Sequence, residues 1–416
     1  MKPRFIPTTL AALLLAGSAF AARADNYGLE QLLRLAATSN PGLQAARDSV
    51  QAARSDVVSA GAFPNPEIEY LGGNARARTP GTNAGHSDSV TLTQRLDLPP
   101  VRSARIDVAD AGLAATHAAS RSYESELAAR IKLAYYELIR RQAEQKAARE
   151  DLSLIEAIRN RVRVRVETGE APRYELIKAD AELLNAQKAL QSAQLRGEQA
   201  KAMLRQAVGA ALPPDFNVVP TTDPAPPAAL EALRQTMLKN SPDLAQTRAE
   251  ADRSQRQLEL ERRLRLPEVA LKATRDTDPD LRTNKVGVAV TIPLWDRRSG
   301  PIGSAVANLS RARNRLTDQE FAQQRALENA YQQYQIANSQ VSALEQGILR
   351  QAESALKVAE AAYRFGERGI LDYLDAQRVY RAARNELITA RYELRAALVD
   401  IDRLVGTPLT PRPQEQ

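Results

Sequence analysis

The sequence has no cysteine, two histidines and one tryptophan, and aromatic residues make up only 5% of it. Without cysteine there is no disulfide framework, no thiolate metal site and no N-terminal cysteine for a lipid anchor. The histidines, His86 and His117, stand apart, with no clustered metal-ligand spacing around them. No nucleophile, base and orienting group can be read together, and no Gly-rich loop cradles a phosphate. The chain is therefore read as a non-enzyme without catalytic residues, resident metal or cofactor. His86, in the GHSD stretch between two strands, is read as a solvated loop residue. Beyond the N-terminal segment there is no continuous apolar run of about twenty residues, so a membrane route would have to be built from strands.

What is present begins with Lys2 and Arg4, the apolar run LAALLLAGSAFAA, and Ala22-Arg23-Ala24. A charged start, a short apolar core and an A-x-A site are the pattern of a cleaved signal peptide, residues 1–24. Its removal leaves 54 basic and 50 acidic residues, a net +4 in place of +7. The pI near 9.6 raises nucleic acid as a partner. However, the basic residues are interleaved with acids, as in REDLSLIEAIRNRVRVRVE, which is the pattern of solvated helix faces. Export argues further for no nucleic acid.

The chain is written twice. Pro41, Leu43 and Arg47 recur as Pro242, Leu244 and Arg248, and PEIEY (66–70) recurs as PEVAL (267–271), at an offset of 201. GEAPRYELIKADAELLNAQKAL (169–190) lies over GERGILDYLDAQRVYRAARNEL (366–387) at an offset of 197, and Val208-Gly209 matches Val405-Gly406. Such a repeat predicts two structural units, 25–211 and 228–406, joined by a Pro-rich linker at 212–227 and followed by a tail at 407–416. Each reads as helix, strand, loop, strand, long helix, bend, long helix. The expected long helices are 107–168 and 173–209, then 303–365 and 370–405.

In those helices apolar residues alternate steps of three and four. Leu176, Ala179, Leu183, Ala186, Leu190 and Ala193 do so after the first bend, and Tyr373, Ala376, Tyr380, Ala383, Leu387 and Ala390 after the second. This 3.5-residue period favours coiled-coil packing, with alanine permitting close approach. About sixty residues of helix span roughly 90 Å. Helices of that length need a partner or an assembly to bury their seams.

The strands are expected near 66–76, 88–98, 267–275 and 285–294. In SVTLTQRLDL, Val90, Leu92, Leu96 and Leu98 share one face with Gln94, and Ser89, Thr91, Thr93, Arg95 and Asp97 the other. In KVGVAVTIPL, Val286, Val288, Val290, Ile292 and Leu294 share a face. Ten-residue alternating segments suit a transmembrane barrel, and a soluble β-layer fits each one equally well. Four strands cannot close a barrel, and an open edge in hydrocarbon leaves unpaired backbone groups. Membrane strands here would therefore have to be pooled by several chains.

In this duplicated plan, and in GILDYLDAQ after the second bend, the sequence resembles the TolC-like outer-membrane efflux factors over nearly its whole length. AGAFPNPEIEY (60–70) resembles their heavy-metal, CzcC-like branch. The resemblance implies a mainly α chain with a transmembrane β-barrel. Four strands per chain would be pooled into a trimeric 12-strand barrel that continues into a 12-helix periplasmic tunnel. It implies a passive export duct in the cell outer membrane, a homotrimer in contact with outer-membrane lipid, fed by an inner-membrane RND-type pump through a periplasmic adaptor (a membrane fusion protein). Heavy-metal cations are the substrate expected; drug efflux and type I protein secretion are the alternatives. An adaptor or a coiled-coil scaffold is more distant, since an adaptor carries one hairpin and a scaffold needs no alternating strands.

The resemblance also assigns residues. Asp372 and Asp375 match the acids that ring the aperture. Their i, i+3 spacing puts them on one helix face, where three copies would favour cations. The same pair near a helix start also complements the helix dipole, worth under about 1 kcal/mol each. Glu175, Tyr363 and Arg368 match a closed-state latch, and Gly169 and Gly366 match tips where adaptors dock. Lys178 departs from the duplication because it lies over Asp375; it either pairs with a carboxylate or faces water. Trp295, at a strand end, belongs either to an interfacial belt or beneath the strand.

Overall fold

The computed structural model describes residues 25–76, 78–221 and 225–407. The expected signal peptide, residues 222–224 of the linker and residues 408–416 of the tail lie outside them. The first repeat runs β1 (Asp25–Tyr27), α1 (Leu29–Ser39), α2 (Pro41–Gly61), β2 (Glu67–Ala75), β3 (Gly85–Leu96), α3 (Pro99–Glu167) and α4 (Arg173–Val208), and β4 (Phe216–Val218) follows within the expected linker. The second runs α5 (Leu230–Asn240), α6 (Pro242–Arg263), β5 (Glu268–Thr277), β6 (Arg282–Thr291), α7 (Ser299–Ala343), α8 (Leu349–Arg364) and α9 (Ile370–Val405).

Helix α3 begins at Pro99 rather than near 107. Pro99 and Pro100 occupy its first turn, where a missing N–H costs nothing. Its 69 residues make a rod about 100 Å long. The second-repeat counterpart is not one uninterrupted α-helix, because a π turn at Leu344–Ile348 separates α7 from α8.

The alanine seam is where the rods meet. Ala179, Ala186, Ala193, Gly197 and Ala200 form the buried stripe of α4, and Ala383, Leu387, Ala390 and Ala397 lie on that of α9. The repeated Val-Gly ends each long hairpin against the other repeated motif, the Pro-led helix start. Gly209 (φ 117°) lies against Asn40 and Pro41, and Gly406 (φ 87°) against Asn240 and Pro242. A Cβ at 406 would stand 2.5 Å from the Asn240 carbonyl oxygen. Asn40 caps α2 by accepting from the Leu43 amide at 3.1 Å and donates to the Ala207 carbonyl at 2.9 Å.

Around this junction Leu32, Leu43, Leu127, Ile131, Tyr135, Leu204 and Phe216 form the largest core, which also takes in Val399 of α9. The two repeats thus share apolar packing. The short parallel pair β1–β4 closes its edge, with Asn26 opposite Asn217.

The other four strands form one antiparallel sheet in the order β2-β3-β5-β6. Its central pairing joins the repeats: Leu92 faces Ala273, and Leu96 faces Val269. Strand β3 starts at Gly85, so His86 is a strand residue opposite Asn74 and not a loop residue. Strands β2 and β6 are the free edges.

Candidate functional site

The sheet is built inside out for water. Register places Ile68, Leu92, Ala273 and Val286 in one cross-strand row, and Leu96, Val269 and Val290 in another. These rows are largely exposed, with Val286 at 87% and Ile68 at 72%. The opposite, polar face is cross-linked instead. Ser89 donates to Asp276 at 2.7 Å, the hydroxyls of Thr91 and Thr274 lie 3.2 Å apart, and Lys285 donates to Asp276 at 2.9 Å. Ser87 donates to Asp278, and Asn83 joins the two hairpin loops by donating to Asp280 at 3.0 Å from its backbone. A sheet in water buries its apolar face; this one hydrogen-bonds its polar face and exposes the other. Trp295 is 93% exposed, which removes its placement beneath the strand. Among the described residues, no helix is long and apolar enough to cross a membrane.

At the far end of the rods lie the two bends, which share one geometry. Gly169 (φ 79°) and Gly366 (φ 75°) follow the last helical turns in left-handed conformation, with open space where a Cβ would sit. Glu170 N–H donates to the Arg165 carbonyl at 2.8 Å, and Glu367 N–H to the Ala362 carbonyl at 2.9 Å. These are the Schellman closures expected when glycine ends a helix. Pro172 and Gly369, at matching positions, then start α4 and α9 without a side-chain cap.

The bends hold the candidate latch and constriction. Tyr363 is 1% exposed and stacks on Tyr373 with centroids 5.9 Å apart, and the Arg165 guanidinium lies over the Tyr363 ring, 5.1 Å from its centroid. Burial raises the Tyr373 hydroxyl above its ordinary range, helped by Glu360 and opposed by Arg161. Ile155, Ile158, Val162 and Ile370 pack around the tyrosine pair, so both hairpins share this core. The Tyr363 hydroxyl and Glu175 Oε2 are buried, each without a hydrogen-bond partner. Arg368 is not on Glu175. It is exposed and lies 3.5 Å from Asp372, one turn along. Asp375 is exposed as well and is held by Arg378 at 2.5 Å. Each candidate constriction acid therefore carries an arginine of its own segment. Lys178 is exposed, its ammonium 5.7 Å from the Tyr174 ring centroid.

Several residues at this end were not singled out from the sequence. Arg159 pairs with Asp180 at 2.8 Å and ties α3 to α4. Higher on the rod, Arg384 of α9 reaches Asp151 at 2.7 Å, Glu150 at 3.3 Å and the Ala147 carbonyl at 3.0 Å on α3. Burial raises the Asp151 carboxyl above its ordinary 3.8, with Arg384 pulling the other way. The i, i+3 partner Arg378 was legible from helix spacing. The Arg384 pairing joins residues more than two hundred positions apart and had no local signal. Among the described residues no group of His, Asp and Glu has the geometry to hold a metal ion.

The sequence profile of the family described as "Outer membrane efflux protein" matches residues 32–210 and 233–407. The chain is 28% identical over 380 residues to the cobalt-zinc-cadmium resistance protein CzcC of Cupriavidus metallidurans, covering 91% of this chain and 90% of that relative. The solved outer-membrane channel OprN superposes with a TM-score of 0.80 at 20% identity, covering 92% of this chain and 91% of that one. CusC, whose structures describe folding and transmembrane channel formation, superposes with a TM-score of 0.76 at 17% identity, covering 97% of this chain and 98% of that one.

Proposed function

The chain belongs to the outer membrane efflux protein family, and from that membership we propose that it is the exit duct for heavy-metal cations in a three-part export system. It is an outer-membrane efflux channel of the CzcC and CusC type. The observation that carries the membrane reading is the sheet, which exposes its apolar rows and leaves the two edges β2 and β6 unpaired. In hydrocarbon each unpaired backbone group costs several kcal/mol, so the edges must find each other between chains. Three copies give a closed 12-strand barrel, with the rods continuing as a 12-helix tunnel. The relative named for cobalt, zinc and cadmium resistance supports metal cations over drugs or proteins as cargo. A periplasmic adaptor docking on the open glycine tips at Gly169 and Gly366, and an RND-type pump behind it, complete the path.

At the tip, Asp372 and Asp375 form the constriction. Arg368, Tyr363 and Glu175 hold it closed: the two buried, partnerless oxygens are acceptor and hydroxyl positions that a closed assembly can satisfy, and Arg368, beside Asp372 in the single chain, supplies the cation. The test is deletion of the gene in its host. Lost tolerance to cobalt, zinc or cadmium with unchanged drug tolerance supports the metal reading. Lost drug tolerance with unchanged metal tolerance reassigns the cargo.

A further inference from the structure

Below the sheet, the two repeats use arginine differently. In the first repeat Arg102 and Arg105 are consumed by the fold. Arg102 and Arg105 both face Asp97, and they donate to the Gly61 and Ala60 carbonyls, at 2.6 Å and 2.8 Å, at the end of α2. In the second repeat one arginine does that work: Arg298 donates to Glu261 at 2.5 Å and pins the start of α7 to the end of α6. Four others, Arg262, Arg263, Arg265 and Arg297, are exposed, and among the described residues no group pairs with their guanidinium heads. The nearby acids are engaged or face elsewhere. Glu261 holds Arg298, Asp296 accepts from the Arg298 amide at 2.8 Å, and Glu259 lies 3.6 Å from Arg256. Glu268 precedes Val269 and so lies on the polar face of the sheet.

This cluster sits where the apolar face stops. Ile292 and Leu294, both exposed, end the β6 stripe, and Trp295 follows, the only tryptophan in the chain. At about 3.3 Å per extended residue, Arg297 lies within roughly 10 Å of Leu294. An exposed indole at the end of an apolar strand marks the membrane–water boundary. Unpaired arginines beside it match phosphate, which they bind with a planar fork of donors.

We propose that Arg262, Arg263, Arg265 and Arg297, with Trp295, form a binding surface for anionic phospholipid headgroups of the periplasmic leaflet. The surface rests on the membrane reading of the sheet. It selects lipid of net negative charge, because zwitterionic headgroups carry a cation that the arginines repel. It also sets the depth and tilt at which the barrel sits.

The single tryptophan makes the test direct. The purified full chain is reconstituted into phosphatidylcholine vesicles in which either a minor phosphatidylglycerol fraction or an equal fraction of the phosphatidylcholine is brominated. Trp295 fluorescence is then measured. Brominated phosphatidylglycerol is expected to quench several-fold more strongly than the brominated zwitterionic lipid. Replacing the four arginines (Arg262→Gln, Arg263→Gln, Arg265→Gln, Arg297→Gln) is expected to equalise the two, and lysine at the same four positions to retain the preference. Arg76→Gln with Arg78→Gln, at the hairpin end of the sheet, should leave it unchanged. Equal quenching in the wild-type protein overturns the headgroup proposal while keeping the sheet in the membrane. No quenching by either lipid overturns the membrane reading itself. Loss of the preference on adding inorganic phosphate identifies a free-anion site and also overturns the proposal.

Discussion

Asp372 and Asp375 are not bare charges. Arg368 lies 3.5 Å from the first and Arg378 2.5 Å from the second. Removing both acids therefore exposes two uncompensated arginines per chain. Asp372→Ala with Asp375→Ala is expected to carry the reversal potential in a salt gradient from cation toward anion preference, with trimers intact because Tyr373 keeps its burial. An unmoved reversal potential makes the two acids ordinary helix-start residues. Arg368→Glu places like charges one helical turn apart and removes the cation from the latch. Higher single-channel conductance in planar bilayers is expected, and unchanged conductance together with unchanged antibiotic leakage refutes the latch assignment. Tyr363→Phe separates packing from bonding. The hydroxyl has no partner in the isolated chain, where an unmet buried group costs about 1–3 kcal/mol. Phenylalanine should therefore preserve folding and act only on the gate.

Between elements, a well-buried cross-repeat tie is Arg384 of α9 on Asp151 of α3. The side chains are only 14% and 11% exposed. Arg384→Ala strands a buried carboxylate and is expected to cost about 3 kcal/mol near neutral pH. The deficit should shrink in acid, where a protonated Asp151 needs no cation. The sign for the intact protein follows from burial, which lifts the Asp151 pKa above 3.8. An acid with a higher pKa folded than unfolded contributes stability that is present below the unfolded value and lost as pH rises through the folded one. Asp151→Asn should remove that component from thermal melts taken across about pH 3 to 7. The glycine junctions make a second test at this scale. At Gly406 an added Cβ would collide with the Asn240 carbonyl, and φ is 87°. Gly406→Ala is expected to lose more than about 1 kcal/mol. Gly366→Ala, in open space at φ 75°, should lose only the backbone term of about 1 kcal/mol. Denaturant melts of the two variants give the comparison.

For the whole molecule, the decisive quantity is backbone pairing. A four-strand sheet with edges β2 and β6 free cannot remain alone in hydrocarbon. Crosslinking of detergent-purified protein is expected to stop at three chains, and a folded monomer stably inserted in a bilayer refutes the shared barrel. The rods carry the same expectation. Leu184 and Leu195 on α4 and Val358 on α8 remain exposed in the single chain, on faces that neighbouring chains would cover.

Periodicity and repetition are local properties, so the sequence alone determined the duplicated plan, the alanine seams, the alternating strands and the glycine-ended bends. Each depends on residues a few positions apart, whose geometry a helix or strand dictates. Tertiary structure decided whatever required a choice among partners. Strand β3 pairs with β5, joining segments nearly two hundred residues apart. Arg384 docks on Asp151 for the same reason, through the packing of α9 on α3. Arg368 shows the converse. The resemblance set it in a latch with Glu175, and it lies beside Asp372, the acid of its own hairpin. A partner one turn away costs little chain entropy to reach, whereas a partner on another helix must be brought by the fold.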